Sequence, residues 1–332
     1  MQGTFTIRLL AKEKPSPVAL MQVIYVNMPV RCCLRFLAVV MLFALLRLPL
    51  QAVEVWVTLE PQAFVVEQIG GDEVTVRVLV PPGRSPATYA PTPSEVIALA
   101  RSDLFFGIGV PAERRLLERM AETLRRVRVV GSDTWRLEGL DTGTACAAGG
   151  HQHADHACAT GDGAGGDPHL WMDPWQMLAF SERVAQELAE LKPEGATGFA
   201  ARLVALNDRL NALDTEIRQQ LQAFQGREFF INHASLGHFA ARYGLQQRSI
   251  EQIGSQPSAR RIGEMLGAAR GANVGALLAQ VQFSRSTADV LAQALGVPVL
   301  TVDPLRRDYP ENLRQVTKVL QQALSAGGDA NK

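Results

Sequence analysis

Residues 195–224 read GATGFAARLVALNDRLNALDTEIRQQLQAF. Within this stretch Phe199, Leu203, Leu206, Leu210, Leu213, Ile217 and Leu221 recur at intervals of three and four, the apolar stripe of a single helix. A helix of about 30 residues runs ~45 Å at 1.5 Å per residue. The flanks differ from it in kind. Upstream, short apolar runs at 53–59, 74–80, 104–107 and 127–130 read as strands. They alternate with helical stretches at 61–70, at 92–100 and at 113–124. Thr92 and Ser94 are caps for the second of these, with Pro93 in its first turn. Downstream the alternation resumes, with strands at 229–232, 246–250, 276–280 and 298–302 and helices starting near Ser258, Thr287 and Pro310. Strands that alternate with helices build a parallel sheet covered on both faces. The expected fold is α/β: an N-terminal lobe over 53–194 and a C-terminal lobe over 226–325. Each is a mostly parallel sheet with flanking helices, joined by one long linker helix at 195–225, and 326–332 is expected to be a disordered tail.

A chain of 332 residues accommodates two domains of ordinary size. Lys plus Arg and Asp plus Glu both number 33, so the formal charge is zero. A nucleic-acid binder shows a basic excess or stripe. The one basic cluster, Arg125, Arg126 and Arg128, reads as a solvated stretch before a strand. Near the N-terminus Arg31 and Arg35 precede an apolar run at 36–46, followed by Pro49, Leu50, Gln51 and Ala52. A basic region, a short apolar core and a small residue at the exit form a secretory signal, here with cleavage expected after Ala52. The run is too short for a comfortable membrane span. Residues 1–27 lie outside this signal, and Met28 is a reasonable start. Cys32 and Cys33 precede the apolar core, whereas a lipid-modified cysteine would follow it. The expectation is therefore a soluble, periplasmic mature protein without a lipid anchor.

Residues 139–166 break the α/β pattern. They hold eight glycines, Cys146, Cys158 and three of the six histidines, His151, His153 and His156. This composition attracts metal. In an oxidising compartment Cys146 and Cys158 can close the loop as a disulfide; as free thiols they would instead add zinc ligands. The other histidines are His169, His233 and His238. His169 is bracketed by Pro168 and Pro174, so a rigid turn before a helix should carry it. His233 follows the strand at 229–232, and Asp303 follows the strand at 298–302. Loops beyond the C-terminal ends of strands face the ligand crevice of an α/β sheet. His238, five residues beyond His233 and expected on the following helix, is the weaker candidate. Two neutral imidazoles and a carboxylate suit a borderline metal such as zinc.

These residues carry a family resemblance. Ile69-Gly70-Gly71-Asp72-Glu73-Val74, Val80-Pro81-Pro82-Gly83, Tyr89-Ala90-Pro91-Thr92-Pro93-Ser94, the stretch 167–174, Asn232-His233-Ala234 with Tyr243-Gly244-Leu245, and Val302-Asp303-Pro304-Leu305 stand in an order and spacing that resemble the metal-specific solute-binding proteins of ABC importers, the ZnuA-like or TroA-like family. The similarity spans roughly residues 53–324. It implies two α/β lobes joined by a long helix, with metal held in the cleft by His169, His233 and Asp303. A histidine at 233 looks like the zinc branch rather than the manganese branch, so Zn2+ is the expected cargo and Mn2+ the lesser candidate. Zinc members often carry a His-rich loop before the Asp-Pro-His element, which residues 146–166 resemble. One departure stands out. The family's Pro-His-Thr-Tyr element, whose histidine is the first metal ligand, reads here Pro86-Ala87-Thr88-Tyr89. Alanine coordinates nothing, so water or a loop histidine would have to fill that position.

The expected function is zinc capture in the periplasm and delivery to the permease of an ABC importer, by a monomer that is not an enzyme and does not bind nucleic acid. Three alternatives remain open at this point. A zinc chaperone, or metallochaperone, would hand metal to a partner protein. A zinc hydrolase would use a three-ligand site with an open position. A surface protein would have kept the fold and lost the metal.

Overall fold

The computed structural model describes residues 52–137, 167–250 and 259–325. The signal segment, His151, His153, His156, Cys146, Cys158 and the tail at 326–332 lie outside these described residues. Both lobes belong to one compact unit that begins at Ala52.

The N-terminal lobe runs β1 (Val53–Val57), α1 (Glu60–Gly70), β2 (Val74–Val78), α2 (Pro93–Leu99), β3 (Leu104–Phe106), α3 (Pro111–Leu124) and β4 (Arg128–Val130). Its strands are all parallel, in the order β2-β1-β3-β4. The turn Leu170–Met172 then leads into α4 (Pro174–Leu191), and α5 (Ala196–Leu221) crosses to the second lobe. That lobe runs β5 (Glu228–Ile231), α6 (Gly237–Tyr243), β6 (Gln246–Ser249), α7 (Ala259–Gly271), β7 (Leu277–Gln280), α8 (Ser286–Leu295), β8 (Val299–Val302) and α9 (Tyr309–Ser325). Its order, β6-β5-β7-β8, is again all parallel and repeats the first sheet strand for strand. The shared plan is visible in topology although no sequence repeat carries it. In each lobe the first strand lies between the second and the third. The chain therefore turns outward in opposite directions at that point, which opens a crevice beyond the carboxyl ends of the strands.

Strand alternation sorts side chains between two cores in each lobe. Val55, Val57, Leu104 and Phe106 face a large core that continues through Phe199, Leu206, Leu210, Leu213, Ile217 and Leu221 of α5 to Phe229, Ile231 and Leu278 of the second sheet. Trp56 and Phe105 face the opposite way, under α2 and α3. Phe230, Leu277 and Ala279 do the same under α7 and α8. The stripe read on α5 thus joins one core across both lobes, with Leu203 packed at its margin. The helix is 26 residues long, ~39 Å, and a single tighter turn at Gln222–Phe224 finishes it.

The start of α3 differs from the reading of the sequence. It begins at Pro111 rather than at 113, and the Glu113 side chain turns inward. The Glu113 carboxylate is buried and accepts the Thr58 hydroxyl at 2.8 Å and the backbone N–H groups of Ile108 and Gly109 at 2.7 and 3.1 Å. Burial pushes its carboxyl above the usual range, and these three donors pull the other way. It thereby ties together the loops that follow β1 and β3.

Polar contacts also fasten lobe to lobe. Arg242 on α6 makes two 2.8 Å hydrogen bonds to the fully buried Asp173, which caps α4 by accepting the Trp175 N–H at 3.0 Å. The Arg242 guanidinium lies 4.2 Å from the centre of the Trp175 ring. The indole N–H of Trp171 donates to the Pro304 carbonyl at 2.9 Å. Together these hold the Asp-Pro-His turn of one lobe against the loops of the other.

Candidate metal centre

His169 sits just before the turn Leu170–Met172, half-buried, where the Asp-Pro-His sequence reverses the chain into α4. Asp167 shapes that reversal. Its Oδ1 accepts the His169 backbone N–H at 3.0 Å and faces the His169 Nδ1 at 2.6 Å. A side-chain oxygen that bonds the backbone two residues onward is the Asx turn that Asp and Asn favour. His169 therefore turns its Nε2 edge away from Asp167.

His233 leaves the carboxyl end of β5 on a loop that is pinned internally. Asn232 Oδ1 accepts the His233 N–H at 2.9 Å and the Gln280 N–H at 3.0 Å. The Gln280 side-chain amide donates to the His233 carbonyl at 2.8 Å and also to the Ser235 hydroxyl. The His233 ring is stacked on Phe283, with centres 4.3 Å apart and planes 29° apart. These contacts leave both His233 ring nitrogens without a hydrogen bond among the described residues.

The two imidazoles meet. Their centres are 5.3 Å apart and the rings are edge to face at 72°. Two imidazoles sharing a tetrahedral zinc at ~2.0–2.1 Å per Zn–N bond place their centres roughly 5 Å apart. Trp171 closes one flank, 5.1 Å from the His169 ring. The electrostatics suit metal rather than proton. Burial pushes the His233 imidazole down to about 3, with the charge of His169 acting in the same direction and Asp167 partly opposing it. Burial would raise Asp167, but the charge and hydrogen bonds of His169, with His238, hold its carboxyl down at about 2. His233 is thus neutral, the form of imidazole that binds metal.

Asp303 follows β8 as expected and is half-buried, but its Oδ1 is engaged by the Gln282 side-chain amide at 2.6 Å and by the Leu305 N–H at 3.0 Å. Among the described residues no three His, Cys, Asp or Glu side chains are gathered closely enough to hold a metal ion. Of the sequence-read trio, the two histidines form a close pair, and Asp303 does not complete a three-residue group with them. His238 is buried on α6, and its Nε2 bonds the Asp167 carbonyl at 3.0 Å. Ala87 is half-buried, its N–H on the Ser85 hydroxyl and its carbonyl held by Arg115 at 2.9 Å, and it offers no side-chain donor. Asp167, Gln280 and Phe283 support the pair, Gln282 holds Asp303, and none of the four was singled out in the sequence. Only Asp167 carried a local signal, the Asp-Pro turn former two residues before His169.

Residues 55–323 match the family described as zinc-uptake complex component A periplasmic, ZnuA. The zinc-binding protein AdcA of Streptococcus pyogenes is 25% identical over 260 residues, covering 76% of this chain and 50% of that protein. The high-affinity zinc uptake system protein ZnuA of Haemophilus ducreyi is 25% identical over 296 residues, covering 82% of this chain and 93% of that protein. A crystal structure of ZnuA superposes with a TM-score of 0.72 at 30% identity, covering 82% of this chain and all of that one. The chain spans about half the length of the streptococcal relatives it matches. The shared topology and the match across both lobes establish that the chain belongs to the ZnuA family, the zinc branch of the metal-specific periplasmic solute-binding proteins.

Proposed function

We propose that this protein captures one zinc ion between its lobes and delivers it to the permease of an ABC importer. The observation that carries this reading is the His169–His233 pair, one imidazole from each lobe at a spacing suited to a shared metal. Asp303 joins as the third ligand when metal arrives, releasing Gln282, and water occupies the vertex left by Ala87. Zinc is favoured over manganese because two imidazoles suit a borderline metal, whereas manganese prefers oxygen donors. The relatives, a zinc-binding protein and a high-affinity zinc uptake protein, support the same cargo. The protein works in the periplasm after export on its N-terminal signal, as a monomer. Zinc is its cargo and no catalytic step is assigned to it.

The test is a competition titration of untagged, chelator-stripped protein with Zn2+ and then Mn2+. The reading expects one tight zinc per chain and much weaker manganese. No tight zinc site, or a preference for manganese, would overturn it.

A further inference from the structure

Accepting His169 as a zinc ligand, we propose that Asp167 is its positioning residue. Asp167 holds the proton on Nδ1 and presents the bare Nε2 to the metal, and Gly237 is the residue that lets it do so. The first argument is the direction of the hydrogen bond. A carboxylate at neutral pH only accepts, so the 2.6 Å contact obliges the His169 Nδ1 to be the donor. The lone pair is then on Nε2. A free imidazole favours its proton on Nε2, which would set an N–H against the metal. The partner of one ring nitrogen decides which form the other takes.

The second argument is how tightly Asp167 itself is held. Its Oδ1 also takes the His169 backbone N–H, so one oxygen fixes both the ring and the chain that carries it. Its backbone carbonyl accepts from His238 Nε2 at 3.0 Å and from Arg136 at 2.6 Å. Asp167 is thereby anchored to α6 of the opposite lobe. The same bond gives His238 its role. Its Nε2 is occupied by the Asp167 carbonyl, and its Nδ1 is buried without a partner among the described residues, so His238 supports the site rather than binding metal.

The third argument is the space at Gly237. A β-carbon added there would lie 2.5 Å from Asp167 Oδ2, closer than real Cβ contacts come. The first residue of α6 must lack a side chain for the carboxylate to occupy its position. Gly237 has no positive backbone angle that would otherwise require glycine.

The experiment reads two quantities on the purified full chain and its variants: the His169 tautomer, by long-range 1H–15N correlation in the metal-free state, and zinc affinity, by chelator competition. Wild type is expected to show His169 protonated on Nδ1. Asp167→Ala should move the proton toward Nε2 and weaken zinc binding about 10- to 100-fold, the usual effect of losing such a partner. Asp167→Asn keeps an acceptor oxygen, so it should retain the tautomer and lose less affinity. Gly237→Ala, which removes no polar group, should shift both quantities in the direction of Asp167→Ala. If Asp167→Ala does not fold, Gly237→Ala decides the matter. An unchanged tautomer and unchanged affinity in Asp167→Ala or Gly237→Ala would overturn the proposal, as would a weakened affinity with the tautomer intact in both. A wild-type protein that binds no zinc would defeat the reading of the site, while the tautomer comparison would still decide the role of Asp167.

Discussion

Replacing His233 by Asn should make the metal-free protein more resistant to acid. The unfolded chain carries His233 with an ordinary value near ~6.5, and burial in the fold lowers it to about 3. Between those values the unfolded state binds the proton and the folded state does not, so stability falls as pH falls. The loss is ~1.4 kcal/mol per pH unit once below the unfolded value, which gives ~2 kcal/mol at pH 5 and a ceiling of ~5 kcal/mol near pH 3. At pH 5 the figure depends almost wholly on the unfolded value, because His233 in the fold is already neutral there. Above pH ~6.5 the contribution is fully present and flat. Asn cannot titrate, so the difference between wild type and His233→Asn isolates this term from every other acid-labile group. Urea unfolding at pH 8 and pH 5, with chelator present, should show the wild type losing ~2 kcal/mol more than the variant over that interval. A difference between the two proteins that is the same at both pH values would refute the reasoning, since it would mean that His233 takes up its proton without cost in the fold.

Other expectations follow from the same contacts. Arg242→Ala leaves the fully buried Asp173 without its cation, and urea unfolding should register a loss of ~3–5 kcal/mol. Pairing Arg242→Met with Asp173→Asn, which keeps the α4 cap, should cost less than the single change. Ala87→His should tighten zinc binding at least about tenfold, ~1.4 kcal/mol, by filling the vertex otherwise left to water. A competition titration with unchanged affinity would mean that residue 87 does not face the metal.

Much of the fold was legible because it rests on periodicity. The α5 stripe survives in the structure nearly residue for residue, since a helix buried along one side must repeat its apolar positions every three or four residues. Strands buried on both faces likewise announce themselves as short apolar runs. Five of the eight read strands overran by one or two residues at their carboxyl ends. There the chain leaves the sheet while its hydrogen bonds continue for a step, as Leu79 and Val80 do to Val57 and Thr58. The burial of Glu113 was not legible, because only the loops after β1 and β3 give it a reason to turn inward. The histidine pair was foreseeable one residue at a time, from loop position. The Phe283 stack, the Gln280 bonds across 45 to 48 residues and the Gln282 bond to Asp303 depend on how distant loops dock. No local pattern encodes that.

The central claim is that His169 and His233 bind the metal while His238 only supports them, and zinc affinity of His233→Ala against His238→Ala tests it most directly. Structural zinc sites draw ~10–16 kcal/mol from four ligands, so one lost ligand is about 3 kcal/mol, or ~100-fold. The account predicts a loss of that order for His233→Ala and a change of only a few-fold for His238→Ala, in chelator competition at pH 7.5. Equal losses in the two variants, or a larger loss for His238→Ala, would contradict it.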